Sequence, residues 1–206
     1  MDLLVLGATG RTGGLVVRRA LACGHRVAAL CRDPARLPAD LDVARVAGDA
    51  RDVDALLPAF AGRDAVVSAL AADTLGPSTV ASEAALACVR AARRAGSPRL
   101  VVTSSRSIVA TRPRLAVALT WWWFREPYRD LARAEGVLQG ADDLDWRIVR
   151  AVMLADGPGK GRYHLDRAVD ATGGDWRLDR ADYAEALLDV AEDDALVRTA
   201  VGVGGA

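Results

Sequence analysis

Gly7, Gly10 and Gly13, spaced G-x-x-G-x-x-G directly after the apolar run of residues 3–6, point most directly to chemistry. Four apolar residues that stop at a glycine read as a buried parallel strand. From Arg11 onward the chain reads as helix, with Leu15, Val16 and Leu21 on an apolar stripe. Strand, glycine turn and helix N-terminus make an anion site. Gly7 permits the tight turn, Gly10 lets the backbone approach a pyrophosphate, and Gly13 lets the helix pack against the strand. First-turn amides that have no partner within the helix then face the phosphates, helped by the helix dipole. The spacing differs from the standard G-x-G-x-x-G fingerprint, so the weight comes from the βα pattern that follows.

The elements that must position this turn alternate. Gly24-His25 leads into a second strand, Arg26–Cys31, and Arg32 to Arg36 form a turn. Residues 43–47 predict a third strand ending at Gly48-Asp49, Asp52 an N-cap for a helix through Ala59, and residues 64–70 a fourth strand. After Pro77, residues Val80, Ala84, Ala87 and Ala91 recur at helical spacing as far as Gly96; residues 99–103 then read as a fifth strand. Residues 111–127, holding Pro113, four consecutive aromatics at 121–124 and Pro127, are expected to form a short helix or lid. Residues 128–138 read as helix, 145–150 as a strand and 156–161 as a loop. A final helix capped by Asp179, with Asp182 three residues on, precedes a closing strand over 196–203. Such alternation means an α/β fold: a doubly wound, mainly parallel sheet with helices on both faces, whose ligands bind beyond the carboxyl ends of the strands. Without repeats or Gly/Ser-rich linkers, residues 1–206 read as one domain, residues 151–206 completing the substrate pocket.

Composition narrows the partners. Lys+Arg and Asp+Glu number 27 each, so nothing draws the chain toward nucleic acid, and Lys160 is its only lysine. Cys23, Cys31 and Cys88 lack metal-like spacing and are expected as buried small hydrophobes in a reducing compartment, with no metal site. Met1 leads straight into the first strand, and the apolar run 115–124 is too short to span a bilayer. A cytoplasmic protein without membrane partners is expected.

Gly7-Ala8-Thr9-Gly10-Arg11-Thr12-Gly13, Arg32-Asp33-Pro34, Gly48-Asp49, Thr103-Ser104-Ser105 and the run Leu144 to Arg150 together resemble the atypical short-chain dehydrogenase/reductases of the NAD(P)H-binding, NmrA-like kind. Length and Asp156-Gly157-Pro158 with Gly161 are most similar to the biliverdin-IXβ/flavin reductase type. The resemblance covers nearly the whole chain and implies a Rossmann-like fold and a nicotinamide cofactor. It leaves the substrate open, because these folds host many chemistries. It implies cofactor contacts from Gly7, Thr9, Gly10, Arg11, Thr12 and Gly13 on the first turn. Asp49 and Ala50 would follow after the third strand, Ala69 and Leu70 after the fourth, and Thr103 and Ser104 on the fifth. Charge selects the cofactor. A chain preferring NAD presents an acid about 20 residues after the glycines. Here Arg32 stands at that tip, able to hold a 2′-phosphate bidentately with Arg36 as a second charge, so NADP is preferred; Asp33 next to it keeps NAD open.

The reacting groups are fewer. Short-chain dehydrogenases pair a Ser with Tyr-x-x-x-Lys, the lysine lowering the tyrosine pKa. Here Ala132 stands four residues after Tyr128, and Lys160 lies outside any helix, so that pair is missing. Ser104 is the candidate that hydrogen-bonds a substrate carbonyl or the nicotinamide amide, the plainer reading being a strand-end cap. Tyr128 is read either as proton donor or as a packed tyrosine. Ser105 and Trp123 are expected in the substrate pocket, with Met153 at the place where flavin/biliverdin reductases overhang the nicotinamide. Tyr163 and His164 follow the glycine loop; a histidine suits acid/base work, and a surface position is its plainer reading. Residues 121–124 cannot all face inward on one helix. They are read as a cover for a planar substrate, a homodimer contact, or core. The functional expectation is an NADPH-dependent reductase passing hydride to a small conjugated, quinone-like or flavin-like substrate. The alternatives are an NADP-binding redox sensor without turnover and an enzyme of redox-neutral cyclisation or dehydration.

Overall fold

A computed structural model describes residues 1–72, 74–96, 98–110, 114–167 and 174–206. In chain order the first half runs β1 (Asp2–Leu6), α1 (Arg11–Ala22), β2 (Arg26–Cys31), β3 (Ala44–Ala47), α2 (Val53–Phe60), β4 (Ala65–Ser68), α3 (Val80–Ala95) and β5 (Arg99–Ser105). The second half adds α4 (Arg114–Gln139), β6 (Trp146–Ala151), β7 (Met153–Ala155), β8 (Tyr163–Asp166), β9 (Arg177–Asp179), α5 (Arg180–Glu192) and β10 (Thr199–Gly205). Eight strands form one sheet in the order β3-β2-β1-β4-β5-β6-β10-β8, and β7 and β9 form a small parallel pair. Every pairing in the large sheet is parallel except β10 with β8. The winding reverses between β1 and β4, and that reversal opens the crevice.

A parallel strand covered on both faces must be apolar on both, which is why residues 3–6 show no alternation. Leu3 and Val5 face one core with Val16, Val17 and Ala20 of α1 and Tyr183, Leu187 and Val190 of α5. Leu4 and Leu6 face the other, with Leu56 and Phe60 of α2, Cys88 of α3, Leu138 of α4 and Ile148 of β6. Helix ends are secured by a few polar groups. Asp52 caps α2 by accepting from Asp54 N at 3.0 Å, and Gly96, at φ +100°, supplies the left-handed turn that ends α3. The Thr79 side chain does not cap α3. Buried Asp130 of α4 does, accepting from Ala81 N at 2.9 Å, Ser82 N at 3.1 Å and Ser82 Oγ at 2.5 Å. At the end of α5, Arg147 donates to Val190 O and Arg99 to Ala191 O, satisfying carbonyls that have no partner within the helix.

Four local expectations change. Residues 111–127 and 128–138 do divide into two helical segments, but the break comes earlier than expected: within α4 two helices meet at a kink at Phe124, φ −107° and ψ 21°. Pro127 lacks the N–H that the Trp123 carbonyl needs, so the first helix ends there and the second sets off at an angle. Residues 111–113 lie outside the description. The closing strand begins at Thr199, since Leu196 N bonds Asp193 O (3.1 Å) and Arg198 turns at φ +49°. Asp179 stands at the N-cap of α5 without a side-chain cap bond. Asp182 is buried and accepts from Lys160 N and Gly161 N, both at 2.9 Å, which pins the 156–161 loop. Cys23 is exposed, while Cys31 and Cys88 are buried, burial pushing the Cys88 thiol up to about 12. Among the described residues no helix is long and apolar enough to cross a membrane.

Candidate functional site

A cavity of about 340 Å³ opens at the carboxyl ends of β1 to β4, where the winding reverses. Gly7, Thr9 and Gly10 form its floor, Cys31 and Arg32 come from the tip of β2, and Gly48 to Arg51 follow β3. Ala69, Leu70 and Ala71 follow β4, and Val80 opens α3. Such a volume is within the range of small-molecule sites.

The floor is a turn with no room for side chains. Gly7 sits at φ +79°, and a Cβ on it would meet Ala69 O at 2.9 Å; one on Gly10 would meet Gly7 O at 3.1 Å. Gly10 N donates to Gly7 O at 2.9 Å, which closes the turn. Gly10 is also the N-cap of α1, and no side chain caps that helix. Its first-turn amides therefore have no acceptor within the helix or from a capping residue, and they fit an anionic oxygen. A dinucleotide's pyrophosphate fits this turn. Arg11, the first residue of α1, is exposed and pairs with Asp156 at 2.5 Å, and Asp156 also takes Arg180. Thr12, on the same turn of α1, does not line the cavity.

Charge on the β3 side of the cavity is arranged around Asp49. Arg51 grips it through Nε (3.1 Å) and Nη2 (2.7 Å) and reaches Glu83 at 3.5 Å. Hydrogen bonds from Arg51 hold the Asp49 carboxyl down at about 2 against the effect of burial, with a smaller contribution from the charge of Arg32. Arg32 lines the cavity. Asp33, the neighbouring acid that left NAD open, accepts from Ala35 N at 3.1 Å and caps its own turn. Arg36 ends that turn, outside the cavity lining.

Ser104 lies near the carboxyl end of β5, buried, and its side chain faces α4. Its Oγ donates to Glu135 Oε1 at 2.6 Å. Glu135 also holds Arg150 of β6 through Nε at 3.0 Å and Nη2 at 2.7 Å. From the other face, the buried Tyr183 hydroxyl donates to Val149 O at 2.7 Å. Thr103 occupies the preceding position of the strand, half-buried. Ser105 accepts from Ser107 N at 3.3 Å and starts a short 3-10 turn.

The other expected residues are dispersed. The Tyr128 ring packs edge-on to Trp121 at 5.6 Å and against Phe124 at 5.8 Å. Trp121 Nε1 donates to Ser107 O at 2.9 Å, which ties α4 to the end of β5. Trp123 is 59% exposed. Met153 is 67% exposed on β7, and its N–H goes to Trp176 O at 3.1 Å; the Trp176 ring lies over the Arg106 guanidinium. Tyr163 donates to Asp189 of α5, and His164 is exposed on β8 at the sheet edge. The structure thus brings together Gly7, Thr9, Gly10, Arg32, Asp49, Ala50, Ala69 and Leu70 around one cavity. Glu135, Arg150 and Arg51 were not read from the sequence. A signal existed for Arg150: an arginine inside the apolar strand Trp146–Ala151 must find a buried partner.

Residues 7–194 match the family described as NAD(P)H-binding. The chain is similar to the uncharacterized protein YwnB of Bacillus subtilis (strain 168), 28% identical over 202 residues, covering 93% of this chain and 92% of YwnB. It superposes with a TM-score of 0.80 on a short-chain dehydrogenase/reductase (wide type) of Veillonella parvula in complex with NADP, 21% identical, covering 98% of this chain and 94% of that one. It superposes with a TM-score of 0.77 on ChuY, an anaerobillin reductase of Escherichia coli O157:H7, 24% identical, covering 98% and 96%. A switch-point cavity, a glycine turn that fits a pyrophosphate and a sequence match across nine-tenths of the length lead to one conclusion: the chain belongs to the NAD(P)H-binding family.

Proposed function

We propose that this protein is an NADPH-dependent reductase that passes a hydride to a small conjugated, quinone-like or flavin-like substrate. The observation that carries the cofactor choice is Arg32 at the rim of the nucleoside cavity, with Asp33 spent on its own turn. A guanidinium there favours a 2′-phosphate, and no acid at the β2 tip takes up the ribose hydroxyls. The reductase reading draws on ChuY and on the missing Tyr-x-x-x-Lys pair. When bound, the nicotinamide supplies a hydride, and the substrate gains that hydride plus one proton while the cofactor is oxidised. The chain's residues bind and orient: the glycine turn holds the pyrophosphate, Asp49 and Arg51 wall the nucleoside, and Ser104 borders the nicotinamide end. With Tyr128 packed among aromatics, the proton comes from solvent.

The test is NADPH and NADH titration by fluorescence quenching, followed by NADPH oxidation with a panel of quinones, flavins and enones. Tighter NADPH binding and oxidation by at least one acceptor class are expected. Equal affinity for the two cofactors refutes the cofactor choice; binding without turnover on the panel favours a redox sensor.

A further inference from the structure

We infer that Ser104 serves a bound nicotinamide as a hydrogen-bond acceptor only, taking an N–H of its carboxamide, and that Glu135 is the positioning residue that imposes this role. The inference rests on the nicotinamide reading above. A serine hydroxyl has one proton, and Ser104 gives it to Glu135 Oε1 at 2.6 Å. Glu135 lies in the fork of Arg150, and Ser104, Glu135 and Arg150 are 7%, 6% and 6% exposed. A carboxylate in that fork accepts and cannot return a proton to the serine. Turning the O–H toward a ligand would strip a bond from a buried carboxylate, and the new bond would do no more than offset that loss. Only lone pairs of Oγ are left for a ligand.

The position suits the carboxamide. Ser68, the last residue of β4, is level with Val102, so Ser104 stands two residues farther toward the carboxyl edge. A dinucleotide whose nucleoside end fills the cavity and whose pyrophosphate rests on α1 extends across the switch point toward β4 and β5. A carboxamide offers a carbonyl and an NH₂, and an acceptor selects the NH₂. A substrate carbonyl finds no proton at Ser104. The sequence expectation of Ser104 polarising that carbonyl therefore gives way to a role in cofactor orientation.

The probe is the acetylpyridine analogue of NADPH, which keeps the ring and the carbonyl but replaces the NH₂ with a methyl group. Wild type is expected to bind NADPH about three- to tenfold more tightly than the analogue, the range of one neutral hydrogen bond. Ser104→Ala should bring the ratio close to one. Glu135→Gln can donate its own amide N–H to Ser104 and release the serine proton, so the ratio should fall there too. A thermal melt reports separately the loss expected from leaving Arg150 without its carboxylate, and if Glu135→Gln does not fold, Ser104→Ala decides alone. A ratio unchanged in Ser104→Ala overturns the inference, and one kept in a folded Glu135→Gln overturns the positioning role. The binding ratio needs no turnover. The expected ratios in a protein that reduces nothing would sink the reductase and support the acceptor role, whereas unmoved ratios with intact turnover would do the reverse.

Discussion

Gly13→Ala should damage this protein more than its one added methyl group suggests. A Cβ there would lie 2.7 Å from the Gly7 carbonyl carbon and nearer still to its oxygen, where ordinary contact begins at about 3.4 Å. The obstacle is backbone in a turn with no rotamer to change, so α1 or the turn must shift by more than about 0.7 Å, the gap to the carbonyl carbon alone. Val16, Val17 and Ala20 would move with the helix and loosen its contact with α5. Overpacking costs about 1–3 kcal/mol, and with rigid backbone opposite the upper end applies. At about 2–4 °C per kcal/mol for a chain of this size, the Tm should fall by roughly 6–12 °C. NADPH affinity should drop as well, because the displaced turn carries the pyrophosphate amides. Gly14→Ala is the internal control. Its Cβ would meet Ala8 O at 3.4 Å, an ordinary contact, and removing a helical glycine gains about 0.5–1 kcal/mol. Its Tm should rise by about 1–4 °C. Circular-dichroism melts of both variants beside cofactor titrations read these signs. If Gly13→Ala melts with wild type, or if Gly14→Ala falls alongside it, the close approach of turn and helix is not what that glycine is for.

Other perturbations separate the remaining parts. Arg32→Ala should cost NADPH about thirtyfold in affinity, on the order of 2 kcal/mol, and leave NADH nearly unchanged; parallel losses for both would mean that Arg32 does not read the 2′-phosphate. Asp130→Ala leaves Ala81 N and Ser82 N without an acceptor at the start of α3, so a loss of about 3 kcal/mol in urea unfolding is expected, and a loss under about 0.5 kcal/mol would show the cap to be idle. Asp49 has a depressed pKa, so its pairing with Arg51 stabilises the fold above the ordinary carboxylate value of 3.8 and loses that effect as pH falls toward about 2. Wild type and Asp49→Asn should therefore differ in Tm at pH 6 and converge as pH drops below about 4; a constant gap would refute the linkage. Leu115, Leu119, Trp122 and Trp123 share one exposed face of α4, which we expect to be buried between two copies of the chain. Sizing should give a dimer for wild type and a 21.7 kDa monomer for Trp122→Ser with Trp123→Ser, and a monomeric wild type would end that expectation.

Much of this was legible from local chemistry. Residues 3–6 are apolar on both faces because both faces are covered, and that pattern predicts the strand. Asp52 and Gly96 end their elements for reasons contained within four residues of each. Gly7, Arg32, Gly48 and Ala69 of the cavity follow from the same logic, since each is the residue just past a strand end. What was not legible depends on pairing across the chain. Glu135 meets Ser104 only through the register in which α4 lies on β5, and nothing within the helix announces it. The boundary between the two helices of α4 lies at Phe124, three residues before Pro127, because the amide that the proline lacks is the one the Trp123 carbonyl needs. The strands β7, β8 and β9 are three or four residues long, too short to express a period.

The order of the sheet carries a consequence for synthesis. β10 lies between β6 and β8, so β8 leaves the ribosome before the strand that gives it a partner. Until β10 arrives, the β6 edge is open and β8 has nothing to pair with. The acceptor for Arg147, the carbonyl of Val190 at the end of α5, also emerges long after the arginine. A nascent chain can therefore close the glycine turn and β1 to β5 early, while Arg147 and the edge of β6 wait for α5 and β10. Ribosome pausing or slow translation in that interval would expose an unpaired parallel strand, and chaperone capture would be concentrated there.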